Sequence, residues 1–171
     1  FLPGGPRTDL QGSLQAGPDA KGWKLQTDIH NLLPGPWDQQ SLPLRRIQAA
    51  IHLDDQQRWA LEHARLDLGS QGDAHIQAKG TWNAAHRVLE GHAELVAINP
   101  AALYSTLEPT PLSGSFQAQR NATEQVEFAL NIRSAPARSG NTAALGTARA
   151  TGTWKAPWLR VNELQLDGLQ A

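Results

Sequence analysis

Six histidines, sixteen carboxylates and six tryptophans are the residues of this 171-residue chain best equipped for chemistry. His30, His52, His63, His75, His86 and His92 would suit a metal only at ligand spacing. No His-x-His or His-x-x-x-His pair occurs among them. His75 and His92 could share one wet strand face, yet the pattern sets no carboxylate ligand beside them. The set reads as solvated surface, and no metal site is expected. A glycosidase would need two acids flanking one bond. Asp54-Asp55 sits in a turn, where Asp bonds its own backbone, and Glu94, Glu108 and Glu163 are scattered. No serine lies in a Gly-x-Ser-x-Gly elbow. The glycines fall within strands, not at a strand-to-helix turn, so they build no phosphate cradle. The absence of Cys removes disulfides, thiol catalysis and thiolate metal ligation. The chain therefore reads as no enzyme, with no catalytic residue and no cofactor.

The tryptophans carry more. Trp23, Trp82 and Trp154 fall on the oily side of alternating segments. Their rings could fill a core or line an apolar groove, and the two roles are compatible. Trp37 and Trp158 sit beside prolines and are expected to plug strand ends. Trp59 opens a strand, and the pattern leaves its face undetermined.

The elements that must hold these rings are strands. Leu10-Gln11-Gly12-Ser13-Leu14-Gln15-Ala16, Leu89-Glu90-Gly91-His92-Ala93-Glu94-Leu95 and Leu112-Ser113-Gly114-Ser115-Phe116-Gln117-Ala118 share one alternating phrase. Ala78-Lys79-Gly80-Thr81-Trp82 and Ala150-Thr151-Gly152-Thr153-Trp154 share another. Strict alternation means strands with one oily and one wet face, and its recurrence means an array. Roughly ten strands result, an all-β pattern. Gly17-Pro18-Asp19 is expected to turn after the first. The alternation slips near Ala64 and again between Val161 and Leu164, the mark of bulges. Asn99-Pro100 caps a short helix expected over 101–107. Residues 134–142 are small and polar and read as a mobile loop.

One pairing can be set in register. Placing Trp82 opposite Leu89 brings Gly80 to Gly91, Ala78 to Ala93 and Ile76 to Leu95. All apolar partners then share a face, which a slip of one residue would scramble. The facing glycines leave a shallow place in the oily surface. Ten strands at about 4.8 Å each make a sheet roughly 48 Å long. Such a sheet twists and curls, and its oily face needs a lid, a partner or a ligand.

A net charge of -1 makes no electrostatic case for nucleic acid. No apolar run is long enough to span a bilayer. A transmembrane barrel is disfavoured by a single Tyr and by strands short of about ten residues. Residues 1–9 read as a linker and 10–171 as one repeat-built β domain. The start at Phe1, without Met, suggests an internal fragment of a longer protein.

Two stretches share a further arrangement: Ile29-His30-Asn31-Leu32-Leu33-Pro34-Gly35-Pro36-Trp37 before Leu42-Pro43-Leu44, and Leu95-Val96-Ala97-Ile98-Asn99-Pro100-Ala101-Ala102-Leu103-Tyr104 before Leu112-Ser113-Gly114. In each, a strand runs through a Pro-marked segment into a Leu-led strand. This resembles a recurring element of the TamB family, the translocation and assembly module proteins, and of the related AsmA-like proteins. The resemblance covers most of residues 10–168. It implies an elongated, curled antiparallel sheet, a β-taco with an apolar interior. It implies a periplasmic segment of a protein anchored in the inner membrane of a Gram-negative bacterium. The implied role is to carry phospholipid acyl chains between membranes and support outer-membrane assembly. The implied protein partner, an Omp85-class barrel, would bind through regions outside this fragment. The rival reading is a chaperone or scaffold that takes up outer-membrane strands by augmentation. The expected groove lining is Leu14, Trp23, Leu25, Ile29, Ile47, Ile51, Ile76, Trp82, Leu95, Phe116, Phe128, Leu130 and Trp154.

Overall fold

A computed structural model describes residues 5–69, 73–83, 88–120, 125–134 and 146–167. Ten strands occur among them: β1 Leu10–Asp19, β2 Gly22–Asn31, β3 Leu44–Asp54, β4 Arg58–Leu68, β5 His75–Asn83, β6 Val88–Ile98, β7 Leu112–Arg120, β8 Val126–Ser134, β9 Thr147–Lys155 and β10 Trp158–Asp167. They form one antiparallel sheet in chain order, and β1 and β10 are its two edges. The sheet is all-β, open and not closed into a barrel.

The register of β5 on β6 follows the alternation. Trp82 faces Leu89, Gly80 faces Gly91, Ala78 faces Ala93 and Ile76 faces Leu95. Both expected slips are bulges. The β4–β5 register shifts between Leu61 and Ala64, and the β9–β10 register between Val161 and Glu163. Each extra residue returns the next apolar side chain to the oily face. Leu61 and Ala64 therefore share a face although three positions apart.

The first turn lies later than expected. Gly17, Pro18 and Asp19 continue β1 and pair with Lys24, Trp23 and Gly22. An edge strand tolerates Pro because it has no second partner to receive an N–H. The chain reverses at Ala20-Lys21 instead, with Asp19 accepting from the Lys21 N–H at 2.8 Å. Gly22 supplies the positive φ of 144° that follows.

The helix is also shorter than expected. It spans Pro100–Leu103, with Asn99 accepting from the Ala101 N–H at 3.0 Å. Tyr104 is extended, and the Ser105 N–H is bound by Asp38 at 3.0 Å. That bond, and the Ser105 hydroxyl on the same carboxylate, join the two Pro-marked segments at one end of the sheet. The described part of the expected linker is pinned there too, the Arg7 N–H donating to Gln40 O at 2.6 Å. Asn31, Pro43, Asp67, Ala74 and Ile98 are buried at this end. Of the expected 134–142 loop, Ser134 ends β8 and the rest lies outside the described residues.

No second layer covers the sheet among the described residues. Apart from Pro43 and glycines, the buried apolar residues among those described are Ala50, Ala74 and Ile98. The chain exposes 11954 Å². A compact monomer of its mass would expose roughly 8,200 Å². Trp37 is 48% exposed and Trp158 77%, so neither serves as the expected plug. Trp158 stands at the start of an edge strand, which has a neighbouring strand on one side only.

Candidate functional site

Paired residues in an antiparallel ladder point to the same side, so register alone maps the faces. One face carries four rows that run across the strands, about 6.8 Å apart. The first row holds Trp23, Leu53, Trp59, Trp82, Leu89 and Arg120, then Trp154 and Leu159. The second holds Leu25, Ile51, Leu61, Gly80, Gly91, Ala118, Phe128, Gly152 and Val161. The third holds Leu14, Thr27, Ala49, Ala64, Ala78, Ala93, Phe116, Leu130 and Ala150. The fourth holds Ile29, Ile47, Leu66, Ile76, Leu95, Gly114 and Ile132.

All thirteen residues expected to line a groove fall within these rows. Trp59, whose face the pattern left undetermined, stands in the first row between Leu53 and Trp82. The strip is open to solvent, more so toward its ends. Leu14 is 69% exposed, Trp23 58% and Trp154 49%, whereas Ile51, Ile76 and Leu95 are half-buried.

The glycines of the repeated phrases play two different parts. A Cβ at Gly91 would meet nothing within 4 Å, so this glycine hollows the surface. At Gly80 it would stand 2.6 Å from the Glu90 carbonyl, and at Gly12 and Gly114 it would strike the neighbouring strand's backbone. Those positions need glycine for close strand approach. Gly152 is filled from beside: a Cβ there would lie 2.5 Å from the Phe128 ring. Phe128 in turn stacks with Phe116 at 6.4 Å between centroids. The floor is thus open at β5–β6 and packed with rings at β7–β9.

The opposite face is polar and ion-paired. Arg46 grips Asp28 through Nε at 2.8 Å, with Gln48 and His30 also on that carboxylate. The Arg46 guanidinium holds the Asp28 carboxyl down to about 2. Asp67, 4% exposed, lies between Arg65 at 2.8 Å and Arg45 at 3.4 Å. His52 meets Asp19 at 3.1 Å and Arg58 meets Asp54 at 2.9 Å.

The described concavities open on this polar face, not on the apolar strip. A trough of about 840 Å³ crosses from Ala60 on β4 to Asn162, the extra residue of the β10 bulge. Glu62, Lys79, Glu90, His92, Gln117, Glu127 and Thr151 border it. A smaller one of about 420 Å³ lies among His63, Arg65, Gln77, Lys79 and Glu94. Of the thirteen expected lining residues, Phe128 borders the large trough. Of these trough acids the sequence pattern drew attention to Glu94 alone, as one of the scattered carboxylates, and not to Glu62, Glu90 or Glu127. The signal was present, since the register that aligns Gly80 with Gly91 also aligns Thr81 with Glu90 and Lys79 with His92.

Among the described residues, no three His, Asp or Glu side chains stand close enough to hold a metal ion. His30, His52 and His92 instead face Asp28, Asp19 and Glu94. His86 lies outside the described residues. No described helix is long and apolar enough to cross a membrane. No family model, curated protein or solved structure matches the chain.

Proposed function

We propose that this chain is a segment of a TamB-like periplasmic lipid conduit. Its apolar strip shields phospholipid acyl chains on their way between the inner and outer membranes, in support of outer-membrane assembly. One observation carries the reading: four rows, apolar except at Arg120 and Thr27, run across the strands of one ten-stranded sheet, and nothing in the described fold covers them. An uncovered apolar area of that extent marks a contact surface. Acyl chains gain about 25 cal/mol per Å² buried there, without needing specific hydrogen bonds. Passage along such a surface needs no catalysis. The full-length protein would hold the membrane anchor and the contacts with an Omp85-class barrel.

Mass spectrometry of lipid extracted from the purified chain tests this. Phospholipid should co-purify with the parent and be lost from Leu25→Asp and Leu130→Asp variants that keep their β-sheet circular dichroism. A lipid-free parent protein would refute the reading.

One observation favours the rival. All ten residues of the β10 edge are exposed, and so are nine of the ten in β1. Unpaired edges of this length can accept an outer-membrane strand by augmentation. Crosslinks from β10 to nascent barrel proteins, with none to lipid, would select it.

A further inference from the structure

The two edges of the sheet differ in what they offer a further strand. β1 holds Pro18 and two glycines within its ladder, and its one charge, Asp19, is taken by His52. Pro blunts an edge, since it has no N–H to give. β10 contains neither Pro nor Gly, and all ten of its residues are exposed. Its apolar side chains Leu159, Val161, Leu164 and Leu166 lie on the strip face. Its polar side carries both signs of charge. Arg160 stands near one end, Glu163 accepts from Gln165 at 2.8 Å in the middle, and Asp167 closes the strand. Arg160 has no ion pair among the described residues, and Asp167 accepts from the Thr147 hydroxyl at 3.3 Å.

Turned about a two-fold axis at Leu164, this order complements itself. An antiparallel second β10, with Leu164 opposite Leu164, sets Glu163 opposite Gln165. Asn162, the extra residue of the bulge, takes up one position. Beyond it Val161 meets Leu166 and Arg160 meets Asp167, on both sides of the axis. Apolar side chains meet apolar ones, opposite charges meet twice, and no like charges stand directly opposite. The backbone suits this register. The Arg160 carbonyl points inward at Gly152, so Leu159 and Val161 on either side turn their backbone groups outward, where a partner strand receives them. The β1 edge of a second copy offers no such match, because Gln11, Ser13, Gln15 and Gly17 on its polar side are uncharged.

We propose that β10 is a self-association edge: two copies of this chain join their sheets antiparallel, β10 on β10, about a two-fold axis at Leu164. Both apolar faces then lie on the same side. The third row, which reaches Leu164 through Leu130 and Ala150, runs on into the third row of the second copy. The strip crosses both copies without a break. This inference goes beyond the conduit reading and does not rest on it.

Sedimentation equilibrium of the 171-residue chain tests it, and the parent should be a dimer. Arg160→Asp and Asp167→Arg should each weaken the dimer roughly tenfold, by setting like charges opposite each other. The double variant, with the charges exchanged, should restore it. Because the chain has no Cys, an introduced one reports its own contacts. Leu164→Cys should couple to itself under mild oxidation, since directly paired Cα atoms stand about 5.5 Å apart. Leu14→Cys on β1 should not. A monomeric parent, a dimer indifferent to either charge reversal, or coupling of Leu164→Cys to Leu14→Cys when the two chains are mixed would overturn the proposal.

Discussion

Strands β1–β4 and strands β7–β10 follow one alternating pattern but are held by different chemistry. In the first set the polar face does much of the holding. Asp28, Asp54 and Asp67 are each gripped by an arginine, and Asp19 meets His52. In the second set the apolar face holds: Phe116 stacks on Phe128, and Phe128 fills the notch at Gly152. The first set should therefore answer to pH and the second to side-chain volume.

The sharpest way to break the aromatic set is Gly152→Val. Its Cβ would strike the Arg160 carbonyl and the Phe128 ring, so β10 should detach. We expect a loss on the order of 3 kcal/mol in urea unfolding. Gly91→Val is the matched control. With nothing within 4 Å it should change stability little, although the residue type and the row across the sheet are the same.

The next effect is on function. Leu25→Asp sits in the ion-paired set and Leu130→Asp in the aromatic set, both on the apolar strip. Each should cut recovered lipid roughly tenfold, the equivalent of 1.4 kcal/mol in binding. A loss from only one would confine the lipid path to one part of the sheet.

Acid separates the sets more gently. The Asp28 carboxyl is held at about 2 against an ordinary 3.8 by Arg46. Its contribution is complete above about pH 4 and lost as pH falls toward 2. Asp54 is lowered by the Arg58 N–H, and Asp19 by the Lys21 N–H and His52. Hydrogen exchange between pH 5 and 2 should show β1–β4 losing protection before β7–β10. Simultaneous loss would mean that the ladder does not stabilise its own half selectively.

The smallest effect belongs to the cap. Asn99→Ala removes the acceptor for the Ala101 N–H and should cost about 1 kcal/mol or less, with both edges of the sheet unaffected.

Strand identity and the β5–β6 register were legible because period-two alternation is a local signal, and a one-residue error would expose every apolar side chain. The bulges were legible for the same reason, as breaks in phase at Ala64 and Val161. What escaped was set by contacts distant in sequence. Gly17-Pro18-Asp19 looks like a turn, but pairing with Lys24, Trp23 and Gly22 draws it into the ladder. The helix loses its last residues because Asp38, 67 positions away, binds Ser105. The two roles of glycine were equally hidden. Gly80 and Gly91 sit alike in the alternation, and only the close approach of the Glu90 carbonyl at Gly80, with open space at Gly91, decides which has room for a side chain. The polar trough was not legible because its acids Glu62, Glu90 and Glu127 come from separate strands, and in each the alternation reads simply as a solvated exterior.

A period-two photocrosslinking scan tests the central claim most directly. A photoreactive amino acid is placed in turn at Leu25, Gln26 and Thr27 on β2, and at Phe128, Ala129 and Leu130 on β8. Leu25, Thr27, Phe128 and Leu130 lie on the apolar strip, and Gln26 and Ala129 on the polar face. The account predicts lipid adducts at the first four positions and none at the other two, in both strands. Adducts at Gln26 and Ala129 equal to those on the strip, or no lipid adduct at any position, would contradict it.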